Sequence, residues 1–115
     1  MTPPSARFRA LVGSPAAELS ARMRRGETPA ADVLAGTEFR GANTAGWTVR
    51  LRMQQFVKGF ERRPDGRLFG YNRRVVQDGA WTSPSAPFAF FEAVSVTSVT
   101  TDGSRIPALA SCDTR

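Results

Sequence analysis

The chain has 115 residues, of which 41% are hydrophobic and 23% charged, the composition of one ordinary folded domain and not of a disordered chain. It has no histidine and one cysteine, Cys112. This excludes histidine triads, histidine-ligated zinc and haem, multi-cysteine metal sites and an internal disulfide. A lone carboxylate remains able to do acid–base work, so catalysis is disfavoured but not excluded, and no catalytic residue, metal or cofactor is expected.

The net charge of +6 comes from the middle of the chain, where residues 40–74 hold nine Lys/Arg against two acids. Fifteen of the 16 basic residues are arginine, a bias that a GC-rich bacterial genome produces without selection on function. The remaining one is Lys58.

Residues 1–13, with Pro3 and Pro4, read as a flexible arm, and 14–115 as a single α+β domain. No apolar run approaches the ~20 residues that cross a bilayer, and the amino terminus lacks the apolar core and cleavage site of an export signal. A cytoplasmic protein with no membrane partner is expected. In "SPAAELSARMRRG", Ser14 caps a helix, Pro15 opens it and Gly26 supplies a left-handed ending. "TPAADVLAG" repeats the pattern, with Thr28, Pro29 and Gly36 in the same roles. A short strand follows around Glu38–Arg40.

"WTVRLRMQ", residues 47–54, alternates apolar and polar positions and predicts a strand. Val49, Met53, Phe56, Val57 and Phe60 also fit a helical stripe, but the strand is preferred. "RPDG", residues 63–66, is a type I turn with glycine where a positive φ follows; it joins "QQFVKGFE" to "RLFGYNRRVVQ". After the break "DGAWTSPS" comes the long strand "PFAFFEAVSVTSVT". The turn "TDGSR" then leads to "IPALASCDTR", where Pro107 interrupts the strand pattern, so the segment reads either as a short edge strand or as part of a curtailed form of a longer fold. The expected architecture is two short helices before an antiparallel meander that curves into a barrel or half-barrel. Open sheet edges invite a homodimer formed edge to edge.

Strand parity places one ionisable group on the most apolar face of each strand. Lys58 sides with Phe56 and Phe60, Arg73 with Phe69, Tyr71 and Val75, and Glu92 with Phe88, Phe90, Val94 and Val96. Buried charges must be paired or face a wet cavity. One reading joins Arg73 to Glu92 as an ordinary buried pair. The other makes Lys58, Tyr71, Arg73, Phe90 and Glu92 the lining of a cavity for a small apolar or amphipathic ligand. Lys58 and Arg73 would then meet the polar head, and the concave face of the sheet would hold the apolar body. An alternative partner is nucleic acid, bound through Trp47, Arg50, Arg52, Arg62, Arg63, Arg67 and Arg74. No RNA- or DNA-binding motif accompanies those residues.

"LAGTEFRG" followed by "QQFVKGF" resembles small lipocalin-like β domains, and within them the bacterial GXWXG type. Phe39, Arg40 and Gly41 fit that motif, with phenylalanine in place of the tryptophan and Gly36 one residue upstream of the expected glycine. Lys58 and Phe60 match the Lys–aromatic strand that follows. The resemblance covers residues 34–100. It implies an antiparallel barrel or half-barrel around an apolar ligand, with no catalytic set.

Overall fold

Four short helices and five strands make up the described chain. They are α1 Ala6–Val12, α2 Ala16–Arg25, α3 Ala31–Leu34, β1 Glu38–Ala42, α4 Gly46–Arg50, β2 Gln55–Arg62, β3 Leu68–Arg74, β4 Phe88–Val99 and β5 Arg105–Cys112. The structure, a computed structural model, describes residues 3–99 and 105–112, with side chains through residue 96. The expected TDGSR turn and the Cys112 thiol lie outside what is described. The strands form one antiparallel meander in chain order, β1-β2-β3-β4-β5. The α+β class holds, but the sheet is open: β1 and β5 are its edges, so it does not close into a barrel.

Several local expectations are corrected. The expected arm carries α1, because Ser5 accepts a hydrogen bond from Phe8 N–H and satisfies a free donor of the first turn. Ser14 does not cap α2; its hydroxyl donates to Ala10 C=O at the end of α1, and Pro15 takes the cap position. Gly26 ends α2 in extended backbone, with φ −74° and ψ 165°. Gly36 does adopt the left-handed conformation, with φ 77°.

Residues 47–54 do not form a strand. Gly46–Arg50 are helical, Thr48 is buried, and its hydroxyl donates to Ala45 C=O. Arg52, at φ 53°, turns the chain out of the helix, and Met53 N–H donates back to Thr48 C=O at 2.8 Å. Alternation alone misleads here because a five-residue helix needs only one inward side chain, and Thr48 supplies it.

The RPDG turn forms as its residues dictate. Gly66 N–H donates to Arg63 C=O at 2.8 Å, Arg63 N–H to Arg67 C=O at 2.9 Å, and Gly66 has φ 85°. β5 spans Pro107, which stands opposite Thr97; an edge strand is where proline is tolerated.

By backbone proximity the chain divides into two units. One contains Met1–Glu27, Arg40–Val57 and Arg73–Ala86, and its buried side chains are Thr48, Val57 and Trp81. Trp81 is delivered inward by a self-closed loop. Asp78 accepts from Ala80 N–H and the Thr82 hydroxyl, Gly79 takes φ 78°, and Val76 N–H donates to Thr82 C=O. The indole N–H donates to Gly41 C=O at 3.0 Å, with Phe8 edge-on at 5.5 Å and the Arg40 guanidinium at 5.9 Å.

The other unit contains Thr28–Phe39, Lys58–Asn72 and Pro87–Arg115. Among the described residues its buried side chains are Leu34, Leu68, Phe69 and Tyr71. Register sets which groups share a face: Leu68 stands opposite Ala93, Phe69 opposite Glu92 and Gly70 opposite Phe91. Between Gly70 and Asn72 the register shifts, so that Asn72 faces Phe88, and Ala89 has φ 53°. This bulge gives β4 one extra residue. It breaks the period-two reading of β4 and separates Phe88 from the face of Phe90 and Glu92.

Candidate functional site

The two faces of β2–β4 carry different chemistry. On one, alternation aligns Phe69, Tyr71, Phe90 and Glu92. Phe69 is covered by guanidinium groups, with Arg63 3.5 Å and Arg67 5.1 Å from its ring centre. Arg63 also lies 5.6 Å from the Phe90 ring, and Tyr71 meets Phe90 at 5.6 Å. Arg67 grips Glu92 with two bonds, Nε–H to Oε1 at 3.0 Å and an Nη2 hydrogen to Oε2 at 2.6 Å. The face is thus an arginine–aromatic stack whose carboxylate is already satisfied.

The opposite face carries Lys58, Phe60, Gly70 and Phe91, with Phe39 of β1 beside them. Three rings form an edge-to-face series, Phe39 to Phe60 at 6.3 Å and Phe60 to Phe91 at 6.4 Å, the geometry favoured by ring quadrupoles. The Lys58 ammonium lies 4.9 Å from the Phe91 centroid. Among the described residues no carboxylate forms an ion pair with it. Half-burial lowers its pKa from the ordinary lysine value, since the charged form loses water. Farther along the face, Arg62 is held by Asp32 of α3 at 2.6 Å.

The five expected ligand residues therefore divide. Tyr71, Phe90 and Glu92 share one face, and Lys58 stands on the other. Glu92 pairs with Arg67 and not with Arg73, because the register sets Phe69 opposite Glu92. Arg73 belongs to the first unit, half-buried, and its guanidinium donates to Ser85 C=O at 3.4 Å. Parity finds Lys58, but it does not find Phe39, Phe91 or the role of Arg67. The signal for Phe91 is Gly70, the residue opposite it, small enough to lie beneath a ring.

The alternative arginine set divides as well. Arg62, Arg63 and Arg67 are engaged by Asp32, Glu61, Glu92 and aromatic rings. Trp47, Arg50 and Arg52 lie on or just after α4, exposed, and Arg74 N–H donates to the Ser85 hydroxyl. A groove of about 640 Å³ in the first unit is lined by Val49, Arg52, Gln54, Gln55, Val75, Val76 and Gln77. Its wall is fixed by a side chain acting as a strand: Gln77 accepts from Gln55 N–H at 2.7 Å and donates to Gln55 C=O at 2.8 Å.

Two carboxylates give the stability a defined acid limb. The bond from Arg67, and the Thr82 hydroxyl together with Ala80 N–H, hold Glu92 and Asp78 respectively below their ordinary pKa values. The unfolded chain then takes up protons before the folded one, so this stabilisation is complete above the ordinary carboxylate range. It is lost as pH falls through the folded-state values. Urea unfolding at a series of acidic pH values should show stability declining, with a shallower decline in Glu92→Gln.

Among the described residues no three of His, Cys, Asp and Glu gather in a way that would hold a metal ion, and no helix is long and apolar enough to cross a membrane. Comparison of the chain with protein-family models, with curated proteins and with solved structures returned no match.

Proposed function

We propose that the protein binds a small amphipathic acid without catalysis, its carboxylate on Lys58 and its apolar part along Phe39, Phe60 and Phe91. The observation that carries this reading is a partly buried ammonium that, among the described residues, has no carboxylate partner and lies over Phe91, the end of a series of three phenylalanines. Partial loss of water disfavours the charged form. A ligand carboxylate beside the ammonium would offset that loss.

The resemblance to lipocalin-like GXWXG-type domains agrees with this reading. The two segments that carry the resemblance lie on neighbouring strands, and Phe39 and Phe60 touch. In the open sheet the binding surface is one face, not the interior of a closed barrel. Self-association through the β1 or β5 edge belongs to the same proposal, since edges left unpaired are templates for a second copy.

Decanoate and decan-1-ol test the reading by calorimetry. The parent protein should bind the acid better than the alcohol. Lys58→Met, which keeps the apolar stem, should weaken decanoate about tenfold, since a charge-assisted contact is worth ~1.5 kcal/mol, and leave the alcohol unchanged. Because Lys58 is the sole lysine, isotope-labelled lysine gives a single NMR titration. Decanoate should raise the depressed Lys58 pKa, as an anion stabilises the charged form. Equal decanoate binding by Lys58→Met, or a Lys58 titration indifferent to decanoate, overturns the proposal.

A further inference from the structure

The first unit presents apolar surface of a different kind. Trp47 is 60% exposed and Leu51 62%, and Val49, Met53 and Val76 are each at least half exposed. With Thr48 buried, Trp47 and Arg50 of α4 and Leu51, the residue that caps it, stand at i, i+3 and i+4. Arg50 and Arg52 are exposed, and among the described residues neither forms an ion pair. No acidic residue occurs between Glu38 and Glu61. Val49 and Val76 line one groove with Arg52, and Trp47, Leu51 and Met53 are near neighbours of Val49 in the chain; exposed apolar surface that is contiguous marks an interaction site.

We infer that this surface is a peripheral docking site for an anionic lipid bilayer, seated at the level of the headgroups. Tryptophan partitions to that interface, leucine, valine and methionine gain by entering the acyl boundary, and arginine reaches lipid phosphates with its stem among the chains. Charge complementarity selects this occupant: the segment is purely basic, and anionic leaflets attract such segments. A second copy of the chain would set Arg50 and Arg52 against their own equivalents. A single-stranded nucleic acid needs successive aromatic platforms, whereas Val49, Leu51 and Met53 offer no ring. The inference is an alternative to the expectation of no membrane partner. It does not depend on the small-ligand reading, whose residues on β2 and β4 belong to the other unit.

The test uses the whole chain with vesicles of phosphatidylcholine alone, or of phosphatidylcholine and phosphatidylglycerol in equal parts. The protein should sediment with the anionic vesicles and remain in solution with the neutral ones. Tryptophan emission should shift to the blue on binding, and the shift should vanish in Trp47→Phe, since Trp81 is already buried. Neutralising Arg50 and Arg52 to glutamine should weaken binding roughly fivefold for each. Leu51→Glu should abolish it, and Met53→Glu stands in if that variant fails to match the parent's far-ultraviolet dichroism. Lys58→Met should bind vesicles as the parent does. Failure to sediment with anionic vesicles, equal sedimentation with neutral ones, or undiminished binding by the folded glutamate variant overturns the inference. So does a Trp47 shift elicited by a single-stranded oligonucleotide but not by vesicles.

Discussion

Trp81→Ala should lower the unfolding free energy by about 3–5 kcal/mol, the range for truncating a buried tryptophan. A domain of this size has ~5–15 kcal/mol in total, so a large part of the stability rests on one side chain. Trp81 is 6% exposed and is the only buried aromatic of its unit among the described residues. Its ring is met edge-on by Phe8 of α1, its N–H is taken by Gly41 C=O of β1, and Arg40 lies over it. It holds together α1, β1 and the 76–82 loop. Truncation therefore opens a cavity and frees α1, whose seven residues are too few to persist as an isolated helix. Trp81→Phe separates the contributions: it keeps most of the packing, loses the indole bond, and should cost about 1–2 kcal/mol. Chemical denaturation followed by far-ultraviolet dichroism reads both. A loss below ~1 kcal/mol in Trp81→Ala would mean that the loop does not anchor the unit.

Where a turn's chemistry is local, the sequence was sufficient. RPDG closes through Gly66, and Asp78, Gly79, Ala80 and Thr82 close the next break by bonds within five residues. The meander itself follows from such punctuation plus alternating strands. Residues 47–54 do not follow the expected strand because helix and strand periods both fit a short apolar–polar alternation. The deciding facts are one inward threonine and a left-handed Arg52, and neither leaves a compositional mark.

The candidate site was half legible for a related reason. Parity within a strand sets Lys58 beside Phe60, and the structure adds Phe91, whose ring lies 4.9 Å from the ammonium. Parity did not supply the register between strands, which gave Glu92 to Arg67, nor the bulge at Ala89, which moves Phe88 off the face of Phe90. A one-residue slip exchanges every side chain's face. Cross-strand partners therefore depend on information that a single strand does not contain.

Gly59→Val should strongly destabilise the sheet, and the reason is geometric. A Cβ at residue 59 would lie 2.1 Å from Tyr71 Cζ, closer than any real contact, and Tyr71 is itself buried. Overpacking of this kind typically costs 1–3 kcal/mol. With the added methyl groups of valine and a ring that must leave a buried position, about 3 kcal/mol is expected. The arrangement recurs: the Phe56 ring covers Gly41, and the Phe91 ring covers Gly70. Each glycine bares a strip of its strand, and a neighbouring ring shields it from water. The pairing is tested by a cycle on Gly59→Ala and Tyr71→Ala. If the tyrosine ring is what excludes a side chain at 59, the double variant will be no less stable than Tyr71→Ala alone, giving a favourable coupling well above the ~0.5 kcal/mol of independent sites. Additive losses would show that residue 59 requires glycine for its backbone and not for the ring above it. Gly70→Ala with Phe91→Ala extends the cycle to the Lys58 face: Phe91→Ala should also weaken decanoate, whereas the Gly59–Tyr71 cycle, on the other face, should leave decanoate binding by the folded protein unchanged.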